Sequence, residues 1–206
     1  MLKMHSYEDK TYENALKKCL SELNVTENDI FIKKTEKEGK LFQSKKVYLT
    51  VLTKEEVKNY IKEFIKEVTS NMNINVELEI REEDGIFNVG MMSDNNAILI
   101  GKEGRTLNAL QLLLRQSLQI NANIDSTIKV NLDAGNYKAK KLKNFEYEMR
   151  KIIKEVETSK VDASLDPMNS YQRRIIHNLA NEFSHVTTKS DGEGKERHVV
   201  IKYKED

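Results

Sequence analysis

The clearest structural signal in the chain is the stretch Ile100-Gly101-Lys102-Glu103-Gly104-Arg105-Thr106. Its two glycines stand three residues apart, after an apolar run and before a helical pattern of leucines that begins at Leu107. Glycine lets a backbone approach a ligand closely, and the first N–H groups of a helix attract anions. The stretch therefore predicts a turn between two helices whose backbone can hold a phosphate group.

The elements predicted around this turn follow the order α-β-β-α-turn-α-β. A capping box between Thr53 and Glu56 begins the first helix. Alternating residues predict strands over 74–80, 86–92 and 127–132, and a short helix over 95–100 leads into the turn. The leucines predicted to face inward on the helix after the turn are Leu107, Leu110, Leu113, Leu114 and Leu118.

Residues 1–53 predict a small β-α-β-β unit. Thr11 can cap an amphipathic helix, and apolar residues near 4–7, 30–32 and 47–52 predict three strands. A turn is expected at residues 37–39. One helix and three short strands give a thin core, so we expect this unit to pack on a neighbour.

The C-terminal part predicts a long helix over 136–157 and a second helix after Asp166-Pro167. Strands are expected over 186–188 and 198–203. The residues predicted to face inward on the second helix and just beyond it are Met168, Tyr171, Ile175, Leu179 and Phe183.

Arg173 and His177 lie four residues apart on this second helix, so they are neighbours on its exposed side. A guanidinium and an imidazole together can bind a phosphate through several hydrogen bonds. Arg197 opens the last strand and is expected to join the same surface. The alternative is a solvated pair without a ligand.

Composition and charge exclude several functional classes of protein. The 206 residues are 38% hydrophobic and 33% charged, with one cysteine and a formal net charge of +1. The charge divides unevenly: +2 over residues 1–53, −4 over 54–133 and +3 over 134–206. A lone thiol excludes disulfides and thiol-ligated metal clusters, and we expect neither a metal nor a cofactor. No apolar run suits a membrane span or a signal peptide, so we expect a cytoplasmic protein.

Two long motifs resemble one bacterial family. Residues 95–111, around the glycine turn, resemble the KH motif of the Jag family, also called KhpB or the SpoIIIJ-associated family. Residues 166–177 resemble that family's second signature, in a domain named for an Arg and a His separated by three residues. Residues 188–192 and 196–201 resemble the end of that domain, and residues 1–53 resemble the Jag N-terminal domain.

The resemblance implies an α+β protein of three small domains: a Jag N-terminal β-α-β-β unit over 1–53, a type II KH domain over 54–134 and an R-x-x-x-H domain over 135–206. It implies single-stranded RNA binding, a small KH-domain partner protein and a role in cell elongation, division or envelope control. Association with the membrane or the division machinery would then be indirect. The implied RNA-binding residues are Gly101, Lys102, Glu103, Gly104, Arg105, Arg173, His177 and Arg197.

Two departures from the family pattern affect these expectations. Residues 39–44 replace the glycine-rich turn of the Jag N-terminal domain. Glu103 is more acidic than the residue usual between the two glycines, and it opposes phosphate binding. A protein-interaction adaptor with weak RNA binding is therefore the alternative function, and the thin domains would suit a homodimer. An enzyme is not expected, because the sequence contains no complete catalytic motif.

Overall fold

The computed structural model describes residues 2–37, 46–122, 124 and 127–205. The turn predicted at 37–39 and the departure at 39–44 fall largely outside these residues. The chain divides into two compact units, Met1–Asn136 and Tyr137–Asp206, here called the N-terminal and C-terminal units. The N-terminal unit contains both of the first two predicted domains, so the division at residue 53 stays a prediction.

The first part of the N-terminal unit is the expected β-α-β-β arrangement. Its helix, α1, packs on an antiparallel sheet of strand order β1-β3-β2, and its core contains Ala15, Cys19 and Leu49. Thr11 caps α1, accepting a hydrogen bond from the N–H of Asn14. The elements are β1 (His5–Asp9), α1 (Tyr12–Leu23), β2 (Ile30–Lys37) and β3 (Lys46–Thr53).

The second part shows the predicted order α-β-β-α-α-β. Its sheet has the order β4-β5-β6, with β4 and β5 antiparallel and β5 and β6 parallel. A short turn of 3-10 helix at Lys102–Gly104 separates α3 from α4. The elements are α2 (Lys54–Asn71), β4 (Glu77–Glu83), β5 (Ile86–Met92), α3 (Asn96–Ile100), α4 (Arg105–Ala122) and β6 (Lys129–Ala134).

The two parts of the N-terminal unit pack together, as the thin core of residues 1–53 predicts. The rings of Phe31 and Phe87, from the two sheets, lie 6.3 Å apart. Nε2 of His5 in β1 lies 2.7 Å from Oε1 of Glu56 in α2. Burial works to raise the pKa of Glu56, but hydrogen bonds from Thr53 and His5 outweigh it and leave this pKa lowered. The capping carboxylate therefore also connects the two parts.

The prediction that Leu113 faces inward is wrong. Leu107, Leu110, Leu114 and Leu118 are buried, but Leu113 is 54% exposed. The sheet covers one side of α4, and Leu113 lies beyond the edge of that side.

The C-terminal unit packs two helices on an antiparallel sheet of strand order β7-β9-β8. The prediction that Tyr171 faces inward is wrong, since Tyr171 is 62% exposed, whereas Ile176 and Leu179 are buried. Phe183 follows the end of α6 and still packs against the core. The elements are α5 (Tyr137–Ser159), β7 (Ala163–Ser164), α6 (Ser170–Ala180), β8 (Val186–Asp191) and β9 (His198–Tyr203).

Helices able to span a membrane and clusters of metal-ligating side chains are both absent from the described residues. None of the helices found there combines the length and apolar character that crossing a membrane requires. Within the same residues, no three His, Cys, Asp or Glu side chains come close enough to share a metal ion.

Candidate nucleic-acid interface

The backbone of the GXXG loop, Gly101–Gly104, depends on positive φ angles. Gly101, Glu103 and Gly104 have φ angles of 67°, 57° and 85°. The N–H of Gly101 closes the end of α3 on the carbonyl of Ala97 at 2.9 Å. The N–H of Gly104 returns to the carbonyl of Gly101 at 3.2 Å. The loop is therefore a defined tight turn, and two of its amides are used inside α3 and the turn itself.

Gly101 has a second reason to be glycine. A Cβ atom placed there would lie 2.1 Å from Oγ1 of Thr106 and 2.9 Å from its Cβ. Such distances are far below van der Waals contact, so a side chain at this position would displace the first turn of α4. The glycine allows the loop and the helix to approach closely.

The three side chains between and after the glycines face solvent. Lys102, Glu103 and Arg105 are exposed, whereas Gly104 is buried. The guanidinium of Arg105 and the carboxylate of Glu103 are 4.0 Å apart, and their side chains are 76% and 68% exposed. A pair this exposed and this long contributes little to stability. The loop therefore presents two cations and one carboxylate at an open surface.

The second surface lies in the C-terminal unit, where α6 faces β8. We call it the Arg/His face, formed by Arg173, His177, Thr188 and Ser190. Nδ1 of His177 is 2.7 Å from Oγ1 of Thr188, and Nε2 is 3.0 Å from Oγ of Ser190. Thr188 and Ser190 are two residues apart on a strand and so face the same side. They fix the imidazole ring in one orientation.

These hydrogen bonds change the expected role of His177. Sequence spacing suggested that the imidazole itself donates a hydrogen bond to a phosphate. In the structure both ring nitrogens already have hydroxyl partners, so direct donation requires the ring to give up one of them. Whether His177 contacts a ligand stays a prediction. Thr188 and Ser190, which this spacing did not select, belong to the same surface.

Arg173 and Arg197 come together through one residue. Nη1 of Arg173 donates to the carbonyl of Met168 at 2.8 Å, and the N–H of Met168 donates to the carbonyl of Arg197 at 3.1 Å. Arg197 is exposed immediately before β9, which begins at His198, and next to the turn that follows Gly192. A Cβ at Gly192 would lie 2.6 Å from the carbonyl oxygen of Glu196. These backbone contacts place Arg173 and Arg197, both predicted to bind phosphate, at the same end of the C-terminal unit.

The hydroxyls around His177 argue against a catalytic triad. In acyl transfer by a serine nucleophile, a histidine base is oriented by a carboxylate on its second nitrogen. Here both nitrogens of His177 end on hydroxyl groups, of Thr188 and Ser190.

Comparison with known proteins agrees with this geometry. Residues 58–132 match the KH domain of KhpA/KhpB, and residues 141–203 match the R-three-H domain, the R-x-x-x-H domain of the sequence analysis. A Clostridium symbiosum protein named RNA-binding protein KhpB is 36% identical over 200 residues, which are 95% of this chain and 89% of that protein. The chain belongs to the KhpB family. This confirms the family resemblance seen in the two sequence motifs.

Two more members of the KhpB family carry the same name. The protein of Bacillus subtilis (strain 168) is 27% identical over 95% of this chain and 96% of its own length. The protein of Lactiplantibacillus plantarum is 38% identical over 50% of this chain and 32% of its own length. The first two relatives therefore align with this chain over nearly its full extent.

The sequence did contain a signal for the residues that helix spacing missed. Thr188, Ser190 and Gly192 form a T-x-S-x-G pattern, in which the alternation of a strand places both hydroxyls on one face. What it did not indicate was their partner, because the contact of β8 with His177 depends on how α6 packs against the sheet.

Proposed function

We propose that this protein binds single-stranded RNA through two separate surfaces, the GXXG loop and the Arg/His face with Arg197. The observation that carries the proposal is the GXXG loop itself, an exposed turn fixed by glycines at the entry to an 18-residue helix. The names of the relatives, RNA-binding protein KhpB, support the same function.

At the GXXG loop, binding would depend on the RNA backbone. KH domains clamp about four nucleotides with such a loop. Lys102 and Arg105 supply charge-assisted hydrogen bonds to phosphate oxygens, and the positive end of the α4 dipole adds attraction. Glu103 repels phosphates and weakens this clamp. The loop therefore gives modest, salt-dependent affinity.

At the Arg/His face, binding would depend on side chains fixed in advance. One of the five N–H groups of Arg173 is used by Met168, which sets the direction of the guanidinium. The hydroxyls of Thr188 and Ser190 hold His177 beside it. The net charge of +3 over residues 134–206, including the lysines of α5 at 138–143, adds attraction for RNA.

The test is the double substitution Lys102→Asp and Glu103→Asp in the full chain. Both side chains are exposed, so the fold should persist while RNA affinity falls by at least about tenfold. Binding is measured by fluorescence anisotropy at several salt concentrations, and the fold by circular dichroism. Unchanged affinity would remove the loop from the interface.

The matched comparison is Arg173→Ala combined with His177→Ala. We expect weaker binding and a smaller dependence on salt, because one or more phosphate contacts disappear. An unaltered salt slope would assign this face a structural role instead.

We further propose a protein partner for the N-terminal unit, namely a small KH-domain protein. The observation that favours it is an apolar patch on the solvent side of α4, where Leu112, Leu113 and Ile120 are 56%, 54% and 78% exposed. Clustered exposed apolar side chains commonly mark protein interfaces. Homodimerisation through the same patch is the competing outcome.

The partner is tested with Leu113→Glu, with Gln116→Glu as the control for added charge on the same side of α4. Analytical ultracentrifugation of each variant, alone and with the small KH protein, should show loss of the complex for Leu113→Glu alone. A complex that survives would place the interface elsewhere.

The proposed cellular role rests on the family resemblance. We propose a cytoplasmic, non-enzymatic regulator of transcripts for cell elongation, division or envelope synthesis. Crosslinking of the protein to transcripts in cells, compared with the Lys102→Asp and Glu103→Asp variant, tests this directly. A set of crosslinked transcripts without such messages would contradict the role.

A further inference from the structure

The solvent side of α5 carries a row of lysines around one tyrosine. Helical spacing of three or four residues aligns these side chains on the side opposite the buried Met149, Ile153 and Val156. All members of the row are exposed, and from the first to the last the helix rises about 21 Å. We call this row the tyrosine–lysine strip, and its members are Lys140, Lys143, Tyr147, Lys151 and Lys154.

The ammonium groups of the strip are not neutralised by acidic partners. Within the part of the chain that the structure describes, none of the four lysines forms an ion pair or donates a hydrogen bond through its side chain. Lys151 instead lies over the ring of Tyr147, with Nζ 4.6 Å from the ring centroid. The strip contains two pairs of lysines three residues apart, and like charges at this spacing repel and destabilise a helix. A bound polyanion would remove this repulsion.

The glutamates of α5 leave the strip as a surface of one sign. They all lie to its sides, about 80–100° around the helix from Tyr147. These residues are Glu146, Glu148, Glu155 and Glu157. Residues 134–145, where α5 begins, contain four lysines and no acidic residue. By contrast, α2 has four lysines and four glutamates over residues 54–71, so its solvent side is balanced in charge.

The strip fits an extended polyanion that carries flat rings. A row of cations of this length can contact a chain of phosphates, whereas one small anion would reach only one or two of them. Tyr147 is 60% exposed, and Lys151 covers only one face of its ring. Aromatic rings placed among cations are a recurring surface for single-stranded nucleic acid, because every base has a face that can stack.

An anionic membrane is the competing ligand, and the packing of α5 argues against it. A helix that lies in the lipid interface inserts an apolar side among the lipids. In α5 that side is buried in the core of the C-terminal unit, where it packs against α6 and β9. Only the lysines and one tyrosine would face lipid, so the observations favour RNA.

We propose that the tyrosine–lysine strip is a third RNA-binding surface, on which the lysines contact successive phosphates and an unpaired base stacks on Tyr147. It uses residues of neither the GXXG loop nor the Arg/His face. The inference rests on the proposed function for the nature of the ligand. It goes beyond that function in the site and in the stacking of a base on a tyrosine.

The decisive variant is Lys143→Gln combined with Lys151→Gln in the full chain. Glutamine keeps the helix propensity of lysine and removes its charge. Binding of a labelled uridine hexadecamer, which forms no base pairs, is measured by fluorescence anisotropy at several salt concentrations. Each phosphate contact contributes about 0.7 to the salt slope, so we expect the slope to fall by about 1.4.

The control is Lys66→Gln combined with Lys202→Gln, which changes the net charge equally at two exposed lysines away from the strip. We expect this control to keep the salt slope of the unchanged protein. An unchanged slope in the strip variant would show that its lysines contact no phosphates. An equal fall in the control would show that net charge alone attracts RNA. Either result overturns the proposal.

Stacking is measured with Tyr147→Trp, because the chain contains no tryptophan of its own. A base that stacks on the introduced indole quenches its fluorescence. Tyr12→Trp is the matched control, since Lys34 likewise lies over the ring of Tyr12, 5.4 Å from its centroid, but in the N-terminal unit. We expect the hexadecamer to quench the fluorescence at position 147 alone. No quenching there, or equal quenching in both variants, would contradict stacking on Tyr147.

Vesicles of phosphatidylglycerol and phosphatidylcholine test the competing ligand. The Tyr147→Trp variant is titrated with vesicles and with the hexadecamer at matched concentrations of anionic charge. The proposal requires tighter binding of the hexadecamer. The reverse order would make the strip a lipid-binding surface.

The proposed function and this inference fail in different ways. If the Lys102→Asp and Glu103→Asp variant loses binding while Lys143→Gln with Lys151→Gln keeps its full salt slope, the clamp at the loop stands and the strip is excluded. If the loop variant keeps its affinity and the strip variant loses slope, the strip binds RNA and the loop does not clamp it.

Discussion

The GXXG loop and the Arg/His face differ in what each fixes before a ligand arrives. In the loop the backbone is fixed by the positive φ angles of Gly101 and Gly104, while Lys102 and Arg105 extend into solvent. In the Arg/His face the side chains are fixed, since His177 is bonded to two hydroxyls of β8. One surface therefore depends on glycine and the other on side-chain hydrogen bonds.

The two surfaces therefore tolerate different amino-acid substitutions. Exposed side chains of the loop can be replaced with little effect on stability, but its glycines cannot. In the Arg/His face, replacement of a side chain is expected to reduce stability, because removal of His177 leaves the hydroxyl groups of Thr188 and Ser190 without their partner.

The largest effect is expected for Gly101→Ala. Gly101 combines a φ of 67° with a ψ of 180°, a backbone region essentially restricted to glycine, which costs an alanine about 1–3 kcal/mol. The collision with Thr106 adds roughly 1–3 kcal/mol to the loss of unfolding free energy. Gly85→Ala is the control, since Gly85 also has a positive φ, 74°, with no atom within 4 Å of an added Cβ. Urea unfolding of both variants should show the larger loss for Gly101→Ala, and equal losses would mean that Thr106 moves aside freely.

An intermediate loss of unfolding free energy is expected for His177→Ala, and Lys102→Ala is the comparison. Unpaired hydroxyls of Thr188 and Ser190 should lower the unfolding free energy of the C-terminal unit by about 1–3 kcal/mol. Lys102→Ala should stay within roughly 0.5 kcal/mol of the unchanged protein. Hydrogen exchange of amides in β8 and α4 reports the two units separately. Similar losses of unfolding free energy in both variants would show that the two surfaces do not differ in this way.

The smallest effect is expected for Glu103→Lys, measured as RNA affinity. Lysine tolerates the left-handed angle no better than glutamate does, so the backbone strain is matched. Removal of the repelling carboxylate should tighten binding by on the order of 1 kcal/mol at low salt. One added phosphate contact would steepen the salt slope by about 0.7. Glu63→Lys, on the exposed side of α2, is the control for net charge, and an equal gain there would make the effect non-specific.

Local sequence patterns were sufficient for the order of the helices and of most strands, but they predicted a loop over residues 158–166, where the structure has strand β7 (Ala163–Ser164). The capping box at Thr53 and the alternation of β8 and β9 depend on neighbours a few residues apart, so they can be read without a fold. The glycines of the loop are equally local, because a positive φ is a property of one residue. For the same reason the position of the loop between α3 and α4 was predicted correctly.

Periodicity was insufficient at the margins of helices. Leu113 and Tyr171 have helical spacing from buried residues, yet both are more than half exposed. The helical spacing of apolar residues identifies only the centre of the buried side of a helix. How far burial extends around the helix depends on the width of the sheet beneath it, which no local pattern contains.

The amino-acid sequence alone was enough for the two motifs, the family and most of the secondary structure, because each follows from residues close together in the chain. Tertiary structure alone decided which groups meet. His177 reaches Thr188 and Ser190 through the packing of α6 on β8, and Arg115 reaches Val130 through the packing of α4 beside an edge strand. Hydrogen bonds between distant elements require distances near 3 Å, and the whole fold sets those distances.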